Sequence, residues 1–261
     1  MIKEKINGAE IIFEEKYLDE KKIVKENYIK LSKIINDLWG FNKPENIKIF
    51  ITDSDIKYSF YAYSFFQNFI ILILFPFWYI KTRNSFKTIG VIDINAKYPS
   101  ILIKSMKFMG SIESNVSGTI YKEFNNIELK YKYGYLSLLI RIRSDESKLP
   151  RWLGSGISSF TSEIFFSRNV VSKDTIEFLC LQNKNKDLNN YNTVYPHVLG
   201  YWTVRYLEEN YPGFLKKIFK RYKGEEIVDQ IRLQLGLSQE NFWDQLDELL
   251  YENYKHLLDN K

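Results

Sequence analysis

From about Asp19 to Trp39, Ile23, Tyr28, Leu31, Ile34, Ile35 and Leu38 recur on one face of a 3.6-residue period, with lysines and glutamates elsewhere. This pattern predicts a long amphipathic helix. Gly40 supplies a stop, and Pro44 follows within a few residues. Residues 10–15 read as a short strand. Residues 47–52 alternate and are rich in β-branched side chains, which predicts a second strand. Residues 87–93 and 100–104, separated by a turn at Pro99, predict two more. Beyond about Ser117 the pattern is helical, over 117–143, 150–166, 173–182, 195–210, 212–222, 225–235 and 239–257. Ser238 is placed as the N-cap of the last helix, with Asn241 where a capping box carries Glu or Gln. The plan is α+β: a small mixed N-terminal β-sheet with a long N-terminal helix, followed by a mainly helical C-terminal half. One domain is expected over residues 1–261, with a sheet-rich half at 1–116 and a helical half at 117–261.

One stretch departs from both periods. Ser59 to Ile80 is 22 residues without a charge and contains the run Phe69-Ile-Ile-Leu-Ile-Leu-Phe75, with Lys81 and Arg83 immediately after it. Its length is that of a membrane span and its basic flank that of a membrane segment. Ser59, Ser64, Gln67, Asn68 and Pro76 dilute it. Three readings follow: a buried core element or hairpin, an insertion into a membrane surface, or a true span.

Composition adds constraints. Hydrophobic residues make up 45% of the 261, enough for a sizeable core and too many for a disordered chain. Aromatic residues reach 16%, which fits cores, interfaces and membrane surfaces alike. The net charge of +5 is spread over scattered lysines; the densest run, Lys216, Lys217, Lys220, Arg221 and Lys223, falls on a predicted helix with no nucleic-acid motif beside it. No nucleic-acid partner is expected. A single cysteine, Cys180, excludes an intrachain disulfide and a Cys-based zinc site. The polar start Met1-Ile-Lys-Glu-Lys5 lacks the apolar core of a secretory signal, so a cytoplasmic setting is expected, with the membrane surface as the alternative.

The most informative segment is Leu149-Pro-Arg-Trp-Leu-Gly-Ser-Gly-Ile-Ser-Ser-Phe160. It resembles the Pro-x-Trp-Leu-x-Glu-Gly-x-Ala-x-Tyr segment of gluzincin zinc metallopeptidases, the peptidase MA-like domain. Pro150, Trp152, Leu153 and Gly156 match, Phe160 stands for the final aromatic, and Ser155 stands at the position of the third zinc ligand. The family's other zinc motif is His-Glu-x-x-His, whose two histidines share one helix face so that both grip one ion while the Glu activates water. In the run Glu128 to Ile140 the best register puts Tyr131 and Tyr135 at the histidine positions and Lys132 at the Glu. The same Tyr-rich helix also reads as ordinary core. With only His197 and His256 in the chain, no His-x-x-x-His pair exists anywhere. Residues 194–213 are similar to the family's later Tyr…Gly…Val-x-Tyr-Leu helix, and residues 234–243 to its closing Leu-Gly-x-Ser…Trp segment. The opening strand, the helix ending at Gly40-Phe41 and the strand ending at Thr52-Asp53-Ser54 resemble its start, so only about 55–85 lacks a counterpart.

The resemblance implies a zincin-like fold whose catalytic and metal positions have been replaced: vestigial Tyr131, Lys132, Tyr135 and Ser155, no catalytic residue, no metal and no cofactor. A hydroxyl, two phenols and an amine are poor partners for zinc, and the lysine would repel it. The expected function is a pseudopeptidase that binds a peptide or protein in a cleft walled by Tyr131, Tyr135, Trp152 and His197. His197, three residues before Gly200, stands near where some gluzincins keep a Tyr or His for the oxyanion; it also reads as a partly exposed helix-start histidine. Two alternatives stand beside this. One is a membrane-surface protein using 59–80. The other is an active hydrolase of unrecognised chemistry, or a zinc enzyme in another register. Ser155 with His197 would suggest a Ser–His hydrolase, but Leu153-Gly-Ser-Gly-Ile157 lacks the frame of a nucleophile elbow and no orienting acid is identifiable.

Overall fold

The structure, a computed structural model, describes residues 1–41, 46–66, 69, 90–93, 98–109, 127–144, 148–180, 188 and 193–259. The chain divides into two compact units. The first joins Met1–Ser32, Lys43–Glu113 and Asn125–Ile142; the second joins Lys33–Asn42, Ser114–Phe124 and Arg143–Lys261. This partition differs from a cut at 116/117. The last turns of the long helix belong with the second unit, and most of the helix that follows the sheet belongs with the first.

The first unit is mixed α and β. Its sheet holds β1 (Ile2–Ile6), β2 (Ala9–Phe13), β3 (Ile47–Ile51), β4 (Gly90–Asp93) and β5 (Ser100–Ile103), in the order β1-β2-β3-β5-β4. β2, β3 and β5 run parallel, and β1 and β4 are antiparallel edges. β1 was not expected. It pairs with β2 across Asn7-Gly8, with Ile6 opposite Ala9 and Gly8 at φ 84°. That is the two-residue turn that Asn-Gly favours, because the left-handed conformation costs glycine nothing. α1 (Leu18–Trp39) makes the crossover from β2 to β3, as the helical pattern predicted. It lies on the sheet face that carries Glu4 and Phe13: Lys21 and Lys25 both pair with Glu4, and Lys21 stands over the Phe13 ring. Glu4 is held below the usual carboxylate range by the lysine hydrogen bonds.

The opposite face carries Ile12, Phe50 and Leu102, which pack with Tyr58 and Ala62 of α2 (Asp55–Ala62). α2 carries the first four residues of the uncharged run, 59–62, and it is amphipathic rather than buried all round. Tyr58 and Ala62 enter the core, whereas Phe60, Tyr61, Phe65, Phe66 and Phe69 are exposed. Residues 67, 68 and 70–80 of that run lie outside the described residues, as do Lys81 and Arg83. Among the described residues no helix is long and apolar enough to cross a membrane. After β5 come α3 (Met106–Met109) and α4 (Ile127–Ser144). The expected helix at 117–143 is thus present from 127; residues 110–126 lie outside the described residues.

The second unit is helical: α5 (Arg151–Phe166), α6 (Glu177–Cys180), α7 (Tyr195–Asn210), α8 (Phe214–Phe219), α9 (Glu225–Leu235) and α10 (Phe242–Tyr254). α9 has the predicted bounds, closed by Gly236 in the left-handed conformation with its N–H on the Arg232 and Leu233 carbonyls. α10 starts later than the sequence suggested. Its N-cap is Asn241, and Ser238 instead makes a reciprocal pair with Gln245: the Ser238 N–H donates to Oε1 at 2.8 Å and Nε2 donates to Ser238 Oγ at 2.9 Å. The side-chain amide satisfies both groups of Ser238, so the stretch before the helix is tied down without a capping box. Trp39, at the end of α1, is buried here; its indole N–H donates to Thr161 Oγ1 at 2.8 Å and its ring meets Phe160 and Phe219.

Candidate functional site

α5 carries Gly154, Ser155, Gly156, Ser158, Ser159, Thr161 and Ser162, a polar set for a helix with one buried face. The structure shows how the cost is met. Ser158, Ser159, Thr161 and Ser162 each donate their hydroxyl to the carbonyl four residues back, at 2.6 to 3.1 Å. Such local bonding satisfies a buried hydroxyl without any partner from another element. Small side chains then permit a close approach. At Gly156 a Cβ would lie 2.1 Å from the Gly200 carbonyl oxygen of α7, and at Gly200 a Cβ would lie 2.1 Å from the Trp152 carbonyl oxygen. The two helices cross backbone against backbone at these glycines. Leu153, Ile157, Val198, Leu199 and Val204 are fully buried around the crossing.

The crossing places Ser155 and His197 together. Ser155 precedes Gly156 by one residue and His197 precedes Gly200 by three, in the first turn of α7 after Pro196. Ser155 Oγ lies 2.5 Å from His197 Nδ1, and both residues are half-buried. Of the positions singled out in the sequence, this is the pair the structure joins. Trp152 is 3% exposed and packs edge-on against Trp243 with ring centroids 5.5 Å apart, so its ring fills the interior of the second unit rather than lining an open cleft. Tyr131, Lys132 and Tyr135 stand on α4 in the first unit, with Tyr131 and Tyr135 four residues apart in continuous helix. The side chains of Tyr131 and Tyr135 lie outside the described parts; Lys132 is half-buried.

Comparison with protein-family models, curated proteins and solved structures returns no match.

The zinc ion that the resemblance brings to mind does not fit these residues. Zinc takes imidazole, thiolate or carboxylate donors. Here the positions carry two phenols, an amine and a hydroxyl, and the hydroxyl is engaged by His197. Among the described residues no group of three or more His, Cys, Asp or Glu is placed to hold a metal ion.

Two polar clusters were not foreseen. In the second unit Tyr201 donates its phenol to Glu163, and Arg205 reaches Tyr201 Oη at 2.9 Å, Glu163 at 3.4 Å and Glu209 at 2.8 Å. Tyr254 donates to Glu209 at 2.6 Å. Burial, then the adjacent carboxylate, pushes the Tyr201 phenol far above its ordinary value; burial and the Glu209 hydrogen bond do the same at Tyr254. Both therefore stay protonated donors, and the cluster ties α5, α7 and α10 together. In the first unit Asp53, just after β3, accepts from Tyr17 Oη at 3.0 Å and from the Ser105 N–H and Oγ at 2.7 Å each, while Lys104 Nζ donates to its carbonyl at 3.3 Å. These bonds fasten the ends of the parallel strands β3 and β5. The resemblance had pointed to Thr52-Asp53-Ser54 only as part of a strand end, because the partners are 36 and 52 residues away.

Proposed function

We propose that this chain is a gluzincin-like scaffold that has given up zinc chemistry and holds a peptide or protein segment. The observation that carries the reading is the Ser155–His197 hydrogen bond. At the position where the resemblance expects a ligand carboxylate stands a hydroxyl already engaged by an imidazole of the neighbouring helix. A hydroxyl paired with an imidazole suits a carbonyl or amide better than a divalent ion. The first unit supplies a second support. β4 is an antiparallel edge, and among the described residues no further strand covers its outer side. An edge of this kind presents backbone donors and acceptors to an extended peptide. The fold by itself carries no function, so the reading rests on these two features and on the replaced residues.

Untagged protein is expected to contain well under one equivalent of zinc by elemental analysis and to leave casein uncut. Linear peptides selected from a phage-displayed library are expected to slow amide hydrogen exchange in Gly90–Asp93. One equivalent of zinc, or selected peptides that bind without slowing exchange in β4, sinks the reading.

The same Ser–His contact favours a second reading, a serine hydrolase. It is the weaker one, for a backbone reason. Acyl transfer needs donors free to meet the developing oxyanion. Ser155 lies inside α5, where the Gly154 N–H is already bonded to the Pro150 carbonyl at 3.0 Å and the following amides are committed to the helix ladder. A fluorophosphonate probe is therefore expected to leave Ser155 unlabelled by mass spectrometry. Stoichiometric labelling that disappears in Ser155→Ala would put the hydrolase reading first.

A further inference from the structure

Charge in the second unit is segregated along the chain. From Phe214 to Gly224, which holds α8 and the turn after it, there are five basic residues and no acidic one; from Glu225 to Asp259, which holds α9 and α10, there are nine acidic residues and two basic. The basic residues form a surface. Lys217, Lys220 and Arg221 stand at i, i+3 and i+4, on one side of the end of α8, and all are exposed, as is Lys223. Among the described residues none of these four cations is in an ion pair. Exposed Lys148 lies beside them, its carbonyl oxygen 3.9 Å from where a Gly224 Cβ would stand. Lys216 donates to the Asp37 carbonyl at 2.7 Å, which leaves its charge unneutralised. Glu225 and Glu226, which follow, open α9, where a helix N-terminus favours negative charge, and Glu226 accepts the Lys223 N–H at 3.4 Å. The acidic counterpart is on α10. Asp244, Glu248 and Glu252 stand at i, i+4 and i+8 and are exposed, a stripe distinct from the face that buries Leu246, Leu250 and Tyr254. Lys255 pairs with Glu252, while Glu240 before the helix and Asp259 after it are also exposed.

Within one molecule these two surfaces do not meet: among the described residues no ion pair joins the α8 cations to the α10 carboxylates. A second copy brings both halves of the match. We propose that the basic surface of α8 in one copy docks on the acidic stripe of α10 in another, so that the chain associates with itself through opposite charges. Charge complementarity steers encounter and fixes register more than it adds affinity, so the contact is weak and sensitive to salt. The inference is independent of peptide binding, since it uses neither β4 nor the Ser155–His197 pair.

The test is sedimentation velocity of the full chain at about 1 to 100 µM, in about 20 mM and about 500 mM salt. Wild-type protein is expected to move from monomer to larger species as concentration rises at low salt, and to stay monomeric at high salt. Lys217→Glu/Lys220→Glu/Arg221→Glu and, separately, Glu248→Lys/Glu252→Lys should each associate at least about tenfold more weakly, because like charges then face each other. All five side chains are exposed, so the circular dichroism of both variants should match wild type. An equimolar mixture of the two variants should associate again, since each supplies the surface that the other has reversed. A wild type that stays monomeric at low salt overturns the proposal, and the α8 surface would then await a foreign polyanion. Undiminished association of either variant, or a mixture that stays monomeric, overturns it equally.

Discussion

Gly200→Ala is expected to lower the stability of the protein by about 3 kcal/mol or more, read from the urea midpoint followed by circular dichroism. The added Cβ would lie 2.1 Å from the Trp152 carbonyl oxygen, 3.0 Å from its carbon and 3.1 Å from the Gly156 nitrogen. All three are backbone atoms, so no rotamer change relieves the contact, and α5 and α7 must separate. Separation opens voids among Leu153, Ile157, Val198, Leu199 and Val204, and lost packing is costly where the interior is dense. Gly156→Ala should behave alike, because its Cβ would meet the Gly200 carbonyl oxygen at 2.1 Å. Gly154→Ala, two residues away on the same helix, should do the opposite. Nothing lies within 4 Å of its Cβ, and alanine in a helix is favoured over glycine by about 1 kcal/mol. If all three variants melt together, the helices do not cross at these glycines and the pairing of Ser155 with His197 loses its basis.

The glycine pair also marks where reading a sequence stops. In the sequence Gly156 matches a position of the family segment, and Gly200 stands three residues after His197. Each sits inside its own helical pattern, and nothing local says that they meet. Once the crossing is known, Ser155 and His197 follow, since one precedes Gly156 by a single residue and the other precedes Gly200 by three. The same holds for Glu163 with Tyr201 and for Asp53 with Ser105: a pair 38 or 52 residues apart leaves no periodic trace. What periodicity carries is the element. α1, β3, β5, α5, α7 and α9 stand close to their predicted positions because each presents one apolar face, or a fully apolar run, long enough to register. β1 could have been found by the same means. Ile2 and Ile6 share one face and Asn7-Gly8 follows, but Glu4 between them breaks the apolar alternation and leaves only a weak strand signal. In the stretch from Ser59 absence of charge leaves several readings open, and the described residues carry both kinds of environment: Ala62 is buried, whereas Phe60, Phe65, Phe66 and Phe69 are exposed.

Restoring on α4 the residues that the resemblance finds missing is expected to create a zinc site there. The variant combines Tyr131→His, Lys132→Glu and Tyr135→His. The first and third changes put two imidazoles one helical turn apart, the spacing at which they share an ion. The second removes a cation that opposes zinc. The variant should hold zinc with a dissociation constant of about 10 µM at neutral pH, measured by competition with a chromogenic chelator. Bound zinc should raise the melting temperature, since it binds the folded form. The wild type should show neither effect. A control with the histidines at Tyr131 and Tyr133 turns the two by roughly 200° on the helix, too far to share an ion, and should bind zinc at least about tenfold more weakly. A variant that folds and melts as wild type yet ignores zinc would mean that positions 131 and 135 cannot reach one ion together, and the gluzincin-like register would fall.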